Sequence, residues 1–316
     1  MSNAETSPRS RSGGRWFFLF GLLFLTALGW HFGFRDLGDL LRDAKPVPLA
    51  LMSLLIVAGF WLRAAKWRYA LGPGQQGILL FFLAKTAGNW TPGRAGELAP
   101  LLLKRHRNAR VAAWIGLDRV VEVAWTLVLG LAGVAWLGLV APWAWFAIVA
   151  GALVVALLTL TGLRVQSREE TSVNDEVTGG WKDRILAFAL KVRTELLLFS
   201  RKFPLVMALT FFAKLTDVYA VVYLCEAFGY TAGIMLVCAA RCAHGLVSAI
   251  PVTPDATGVP YVAAAWFLYQ YAGIPYETLT TALALEVIAI NAILWVCFCL
   301  VTARRWKSPS IGSTAS

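Results

Sequence analysis

A stretch between two apolar runs combines charged side chains with residues that break helices. Residues 85–107 read KTAGNWTPGRAGELAPLLLKRHR. Proline removes a helical hydrogen bond and glycine favours turns, so we expect the helix to break at residues 91–96. Charges and broken helices at membrane depth are costly unless protein or a water-filled cavity surrounds them. The stretch is therefore predicted to form a binding site, the alternative being a cytoplasmic loop between two ordinary spans.

The polar residues of this stretch and of a later one are of types that bind anions. The guanidinium of Arg94 is planar and permanently charged, which suits phosphate. The N-termini of broken helices add free N–H groups and a partial positive charge. The candidate substrate-binding residues are Lys85, Asn89, Thr91, Pro92, Arg94, Gly96, Glu97, Arg119, Arg241, Thr253, Pro254 and Gly258.

Further charged residues in apolar segments are candidates for carrying protons or pairing with the basic groups. Asp118 and Glu122 are four residues apart and share a helix face, and Lys214 and Asp217 are spaced to pair on another. The full set is Asp118, Glu122, Lys214, Asp217, Asp255 and Glu286. One interpretation is that they form internal salt bridges that fix helix packing. Because charges inside a membrane are costly, we favour a polar path, and the anion native to a bilayer is a lipid head group.

Composition predicts an all-α polytopic membrane protein. The 316 residues are 58% hydrophobic and 15% charged, whereas soluble domains carry about 25% charged residues. Several apolar runs approach the roughly 20 residues that cross a bilayer. The net charge of +11 follows membrane topology rather than a nucleic-acid partner. The five cysteines lie in apolar segments without a ligand set for a metal, and no cofactor is expected.

The apolar runs and the basic residues predict six full spans and two re-entrant hairpins. Arg63, Lys66 and Arg68 are assigned to the cytoplasmic end of the second span. Most of the 29 basic residues then lie on the cytoplasmic side, with both termini inside. The predicted spans are residues 16–34, 46–61, 111–140, 143–163, 204–228 and 278–300.

A repeated motif suggests internal symmetry. Thr91-Pro92-x-x-x-Gly96 recurs as Thr253-Pro254-x-x-x-Gly258, and each copy joins two short apolar segments. The first hairpin would enter from the cytoplasm and the second from outside, which is typical of an inverted repeat. The predicted organisation is a disordered cytoplasmic tail (1–15), one transmembrane domain (16–305) and a second tail (306–316). Within the domain, the repeat halves 46–163 and 204–303 flank a cytoplasmic linker with an amphipathic helix, 164–203.

Three of these segments resemble a known family. N-x-x-P-G-R-x-G-E at residues 89–97, LRAAKWRYAL at 62–71 and Asp118-Arg119 are similar to the transmembrane region of lysylphosphatidylglycerol synthases. That region also occurs in stand-alone, flippase-like proteins. SAIPVTPDATGV at 248–259 resembles the family's second motif.

The chain departs from the family pattern at several positions. Asp255 and Ala256 replace paired glycines, Pro260 replaces a glutamate, and the last span carries Glu286 where an arginine is frequent. These departures concern the second half of the predicted site and the choice of substrate.

The resemblance implies a transporter that moves anionic, aminoacylated or glycosylated lipids between leaflets of the bacterial inner membrane. The aminoacyl-transfer domain of full-length synthases has no counterpart here, so we do not expect the chain to make the modified lipid. Enzymes of lipid synthesis are the expected partners. Two alternatives remain open. One is an intramembrane enzyme that uses His244, Ser248 and Asp255, and the other is a scaffold for a cell-envelope synthesis complex.

Overall fold

The computed structural model describes residues 38, 41–72, 75–103, 108–139, 188, 190–196, 199–248 and 259–307. In these residues the elements are helical. Short 3₁₀ segments occur at Pro92–Leu98 and Phe199–Lys202. The α-helices are α1 (Pro46–Leu71), α2 (Gln75–Trp90), α3 (Ala99–Leu102), α4 (Ala109–Trp136), α5 (Phe203–Ala227), α6 (Ile234–Ser248), α7 (Val259–Ala272) and α8 (Tyr276–Lys307).

Four of the described helices are long and apolar enough to cross a membrane, namely α1, α4, α5 and α8 up to Ala303. They correspond to four of the six predicted spans, and the all-helical class is confirmed for the described residues. The other two predicted spans, 16–34 and 143–163, lie outside the described residues, as does most of the predicted linker 164–203.

Helix α1 differs from its prediction in both length and environment. It continues ten residues past the predicted end at residue 61, to Leu71. Arg63 is 7% exposed and Lys66 is fully buried, so both side chains face the interior of the bundle instead of lying on an exposed end of the span. Arg68, on the opposite face, is exposed. The physical reason is that Arg63 and Lys66 face acidic side chains of α4 and α5, which compensate for the loss of water. The prediction that this end of the helix is cytoplasmic stays a prediction.

The bundle is held by close helix packing. Helix α1 packs along α5, and α4 packs along α6, which in turn packs against α7. At Gly133 of α4, a Cβ atom would collide with the main chain of α6 at Met235 and Ala239. Small residues of this kind allow membrane helices to approach each other closely. The α4–α6 contact brings charged residues of both helices to one interior space.

The predicted helix break after α2 is confirmed, and the residues that follow the break form a 3₁₀ helix. Helix α2 ends at Trp90, and the chain reverses at Thr91 into the 3₁₀ segment Pro92–Leu98, which packs back on α2. The Gly96 N–H donates to Thr91 Oγ1 over 2.5 Å and closes the turn. A Cβ at Gly96 would overlap the carbonyl of Ala87, so glycine is required for this approach. The turn places the residues that follow Thr91 beside α4.

The second motif cannot be compared with the first in the same way. Helices α6 and α7 pack against each other and are joined by residues 249–258. Thr253, Pro254, Asp255 and Gly258 belong to that connection and lie outside the described residues. The inverted repeat thus stays a prediction.

Candidate functional site

A cavity of about 310 Å³ lies within the bundle, between α1, α2, α4, α5, α6, α7 and α8. Apolar side chains such as Ile56, Phe60 and Val287 form part of its wall. Six of its described lining residues are basic and three are acidic, which leaves a net formal charge of +3. The basic ones are Arg63, Lys85, Arg94, Arg119, Lys214 and Arg241, and the acidic ones are Glu122, Asp217 and Glu286.

Arg63 links three helices at the centre of this wall. Its guanidinium donates twice to Asp217 on α5, over 2.5 Å from Nη2 and 3.2 Å from Nη1. Its Nε donates to Glu122 on α4 over 3.3 Å. Such forked, charge-assisted contacts combine strength with a fixed orientation. The predicted Lys214–Asp217 pairing is therefore replaced by a pairing of Asp217 with Arg63 of another helix.

Glu122 is surrounded by basic groups from several helices. Besides Arg63, its carboxylate lies 3.7 Å from Lys66 Nζ and 4.0 Å from Arg119 Nη1. Lys85 and Lys214 are near enough to act on it electrostatically. One buried carboxylate thus faces five basic side chains. Three of them also contact other carboxylates, namely Arg63 with Asp217, Lys66 with Asp118 and Arg119 with Glu97. The excess of positive charge therefore belongs to the lining as a whole, with six basic side chains against three acidic ones.

Asp118 lies behind the cavity wall in a buried cluster. Lys66 Nζ is 2.5 Å from Asp118 Oδ1 and donates to Thr210 Oγ1 on α5 over 3.1 Å. Trp67 Nε1 donates to Asp118 Oδ2 over 2.9 Å. With both oxygens engaged, Asp118 serves to join α1 to α4 rather than to line the cavity. Its predicted position on one face with Glu122 is confirmed, since both are buried in the bundle.

Helix α2, the turn after it and α4 together bring four candidate residues to the cavity. Lys85, Asn89, Arg94 and Arg119 all line it. Glu97 anchors this side, with Oε2 2.5 Å from Arg119 Nε and Oε1 3.8 Å from Lys85 Nζ.

The main chain at Arg94 has a left-handed conformation, with φ at 58°. Residues other than glycine adopt the left-handed conformation at a cost of about 1 kcal/mol or more. Thr91 and Gly96 hold the turn itself, and Pro92 begins its 3₁₀ segment. Backbone strain at a residue that lines a cavity is typical of functional sites.

The opposite wall is built by α6, α7 and α8. Arg241 forms an ion pair with Glu286 and donates to the main-chain carbonyl of Asp217. Tyr261 stacks edge-on against His244, with 4.5 Å between the ring centroids. The carboxylate of Glu286 therefore balances the positive charge of Arg241. This contact gives a role to Glu286, which stands where the family often has an arginine.

The residues of the enzyme alternative are only partly in place. His244 and Ser248 both line the cavity. The Ser248 hydroxyl donates to the main-chain carbonyl of His244 over 2.9 Å, an ordinary contact within a helix. Asp255 is outside the described residues. Within the described part of the chain, no three His, Cys, Asp or Glu side chains cluster as metal ligands would.

Sequence reasoning missed Arg63, which lines the cavity, and Lys66, which lies in the buried cluster behind its wall. A signal was available, because they are three residues apart and so share a helix face. The alanines at 64 and 65 and the tryptophan at 67 continue the apolar character of the span past residue 61. Placing both groups at the membrane surface followed from counting them as a terminal basic cluster together with Arg68.

The comparison with protein families agrees with the motifs. The family model described as "Lysylphosphatidylglycerol synthase TM region" matches residues 17–301. No curated protein and no solved structure matches the chain.

Proposed function

Because this chain belongs to the family of the lysylphosphatidylglycerol synthase transmembrane region, we propose that it is a lipid transporter. It moves a lipid with an anionic, aminoacylated or glycosylated head group between the leaflets of the bacterial inner membrane. Both chain termini are cytoplasmic in this proposal. The family model describes a transmembrane region. This supports a substrate that lies within the bilayer, such as a lipid, rather than a soluble one.

One observation carries the proposal, namely the basic cavity among seven helices, four of which are long and apolar enough to span a membrane. A lysine or arginine at the centre of a membrane helix costs roughly 2.5–3.5 kcal/mol on insertion scales. Helices α1, α2, α4, α5 and α6 each contribute at least one basic side chain to the same cavity. A ligand that carries negative charge supplies the reason to gather them there.

The size of the cavity fits part of a lipid. Pockets for small molecules measure about 300–1,000 Å³, and this one, at about 310 Å³, has room for a head group but not for two acyl chains. A transporter that encloses the head group while the acyl chains stay in the bilayer removes the main barrier to crossing, which is the polar group.

Two hairpins would provide the movement. Helix α2 has 16 residues and α6 has 15, or about 24 Å and 22 Å of helix, short of the roughly 30 Å hydrocarbon core. In this proposal α2 with its returning segment, and α6 with α7, are re-entrant hairpins of an inverted repeat. They rearrange against the long helices and open the cavity to alternate leaflets. The driving force comes from an ion gradient, the membrane potential or consumption of the transported lipid.

Transport is tested with the purified full chain in liposomes that contain fluorescent phosphatidylglycerol. Wild-type protein should expose inner-leaflet label to an external quencher. Arg94→Ala should slow this at least about tenfold, the scale of one lost charge-assisted hydrogen bond. Arg68→Ala, on an exposed arginine, is the matched control and should transport normally.

The alternatives give different results in the same preparation. New lipid species in a mass spectrum after incubation with lipid extract would favour the intramembrane enzyme. Capture of a lipid-synthesis enzyme without any movement of label would favour the scaffold. Movement of label that Arg94→Ala leaves unchanged would remove Arg94 from the mechanism.

A further inference from the structure

The contact between α4 and α6 is tight along one part of its length. A Cβ atom added at Gly130 of α4 would lie 2.1 Å from the Cβ of Cys242 on α6. A Cβ atom added at Gly245 of α6 would lie 2.8 Å from Cγ2 of Thr126 on α4. Together with the contact at Gly133, these approaches leave no space for another molecule between the two helices at these positions. The α4–α6 contact is therefore closed from Gly133 as far as Thr126.

The contact opens about one turn beyond Thr126. Val123 precedes Thr126 by three residues on α4, and Leu246 follows Gly245 on α6. Both side chains line the cavity, yet they are 48% and 56% exposed. All other lining residues in the described part of the chain are buried or half-buried. A side chain that both lines a cavity and reaches the surface lies at its mouth, so Val123 and Leu246 mark an opening between α4 and α6.

The opening has an apolar rim and a charged interior. Val120, about one turn before Val123 on α4, is 62% exposed, and α4 is one of the helices long and apolar enough to cross a membrane. Arg119 and Glu122, the chain neighbours of these two valines, line the cavity. An exposed apolar surface that adjoins a polar cavity suits a ligand with an apolar part and a polar part. A membrane lipid has both, because its head group is polar and its acyl chains are hydrocarbon.

We propose that the opening at Val123 and Leu246 is the lateral mouth of the cavity, and that it holds the acyl chains of the transported lipid where they leave for the bilayer. The proposal rests on the transport function above and adds the route of the chains. A cavity of about 310 Å³ has room for a head group only, so the chains need a way out past apolar side chains. Polar residues at the rim would instead suit a ligand that arrives from water. The tight contact of Thr126 with Gly245 ends the mouth on one side.

The mouth is tested by equilibrium binding to the detergent-solubilised full chain. The two probes are dioctanoyl phosphatidylglycerol and glycerophosphoglycerol, which carry the same head group with and without acyl chains. Wild-type protein should bind the acylated probe at least about tenfold more tightly, which corresponds to about two methylene groups in apolar contact. Equal affinities in the wild type would overturn the proposal, because the ligand would then be a soluble phosphodiester.

A tryptophan at the rim should displace the chains from the mouth. Leu246→Trp should weaken binding of the acylated probe about tenfold and leave the affinity for glycerophosphoglycerol within about twofold of wild type. The matched control is Leu54→Trp, on an α1 leucine that is 63% exposed and does not line the cavity, and it should bind both probes as wild type. Because the micelle surrounds both variants alike, a difference between them reports the mouth.

Three results in the variants would contradict the assignment. The first is an unchanged affinity of Leu246→Trp for the acylated probe, and the second is an equal loss in Leu54→Trp. The third is a loss for both probes alike in Leu246→Trp, which would place the effect at the head group rather than at the chains. If Leu246→Trp does not fold, Val123→Trp decides the question, with Val296→Trp on α8, at a valine that is 58% exposed, as its control.

The liposome assay separates this inference from the transport function. Selective loss of the acylated probe in Leu246→Trp, together with wild-type protein that moves no label, would reject the transporter and leave the acyl-chain site standing. Movement of label at the wild-type rate in Leu246→Trp, with unchanged affinity for both probes, would leave the transporter standing and reject the mouth.

Discussion

Both terminal nitrogens of the Arg63 guanidinium on α1 donate hydrogen bonds to the carboxylate of Asp217 on α5, over 2.5 Å and 3.2 Å. These residues are 154 positions apart in the chain. Their contact joins the first half of the domain to the second. Because Arg63 also binds Glu122 of α4, it connects three helices that line the positive cavity.

Replacing Arg63 should therefore weaken the bundle. Arg63→Gln leaves Glu122 and Asp217 without their main partner, and breaking a buried ion pair costs about 3–5 kcal/mol. The free energy of unfolding in mixed micelles of detergent and denaturant measures the loss. Arg68→Gln, five positions on and exposed, should change it by less than about 0.5 kcal/mol. Equal effects of the two variants would contradict the role of Arg63.

The pair of Lys66 and Asp118 lends itself to a double-mutant cycle. Lys66→Met leaves the Asp118 carboxylate buried without its cation, 2.5 Å away in the wild type, and should destabilise the protein by about 3 kcal/mol. Asp118→Asn alone should also destabilise it. The double variant should be more stable than the sum of the single effects, with a coupling of about 1 kcal/mol or more. Strict additivity in unfolding experiments would show that the contact contributes little.

The conformation of Arg94 predicts an unusual order of stability. In an ordinary helix alanine is more stable than glycine by about 1 kcal/mol. At φ of 58° the order should reverse, because glycine adopts this conformation without a steric penalty. Arg94→Gly should thus unfold at a higher temperature than Arg94→Ala, while both lose transport. A less stable glycine variant would mean that the turn relaxes when the arginine is removed.

Glu122 should limit how tightly the cavity holds an anion. Glu122→Gln removes the carboxylate that faces five basic side chains. The loss of this negative charge is expected to tighten binding of the anionic dioctanoyl phosphatidylglycerol about tenfold. Transport should slow at the same time, since release becomes harder. Glu277→Gln, on the exposed first turn of α8, is the control and should alter neither measurement.

A weaker affinity in Glu122→Gln would contradict this interpretation, provided that the variant keeps the wild-type unfolding temperature. It would indicate that Glu122 mainly positions Arg63 and Lys66. Binding and stability measured on one preparation distinguish the two roles.

The sequence by itself determined the class of the protein, its long apolar helices and the helix break at Thr91, because these depend on local composition and spacing. It also placed Lys85, Asn89, Arg94 and Arg119 in one candidate site, since charges in apolar segments need a polar surrounding. The partners of those charges were decided by the tertiary structure alone. Arg63 and Lys66 look like a cytoplasmic terminus when only their neighbours in the chain are read. They become interior residues once α4 and α5 pack against α1 and supply Asp118, Glu122 and Asp217, because an ion pair between helices depends on how the helices pack.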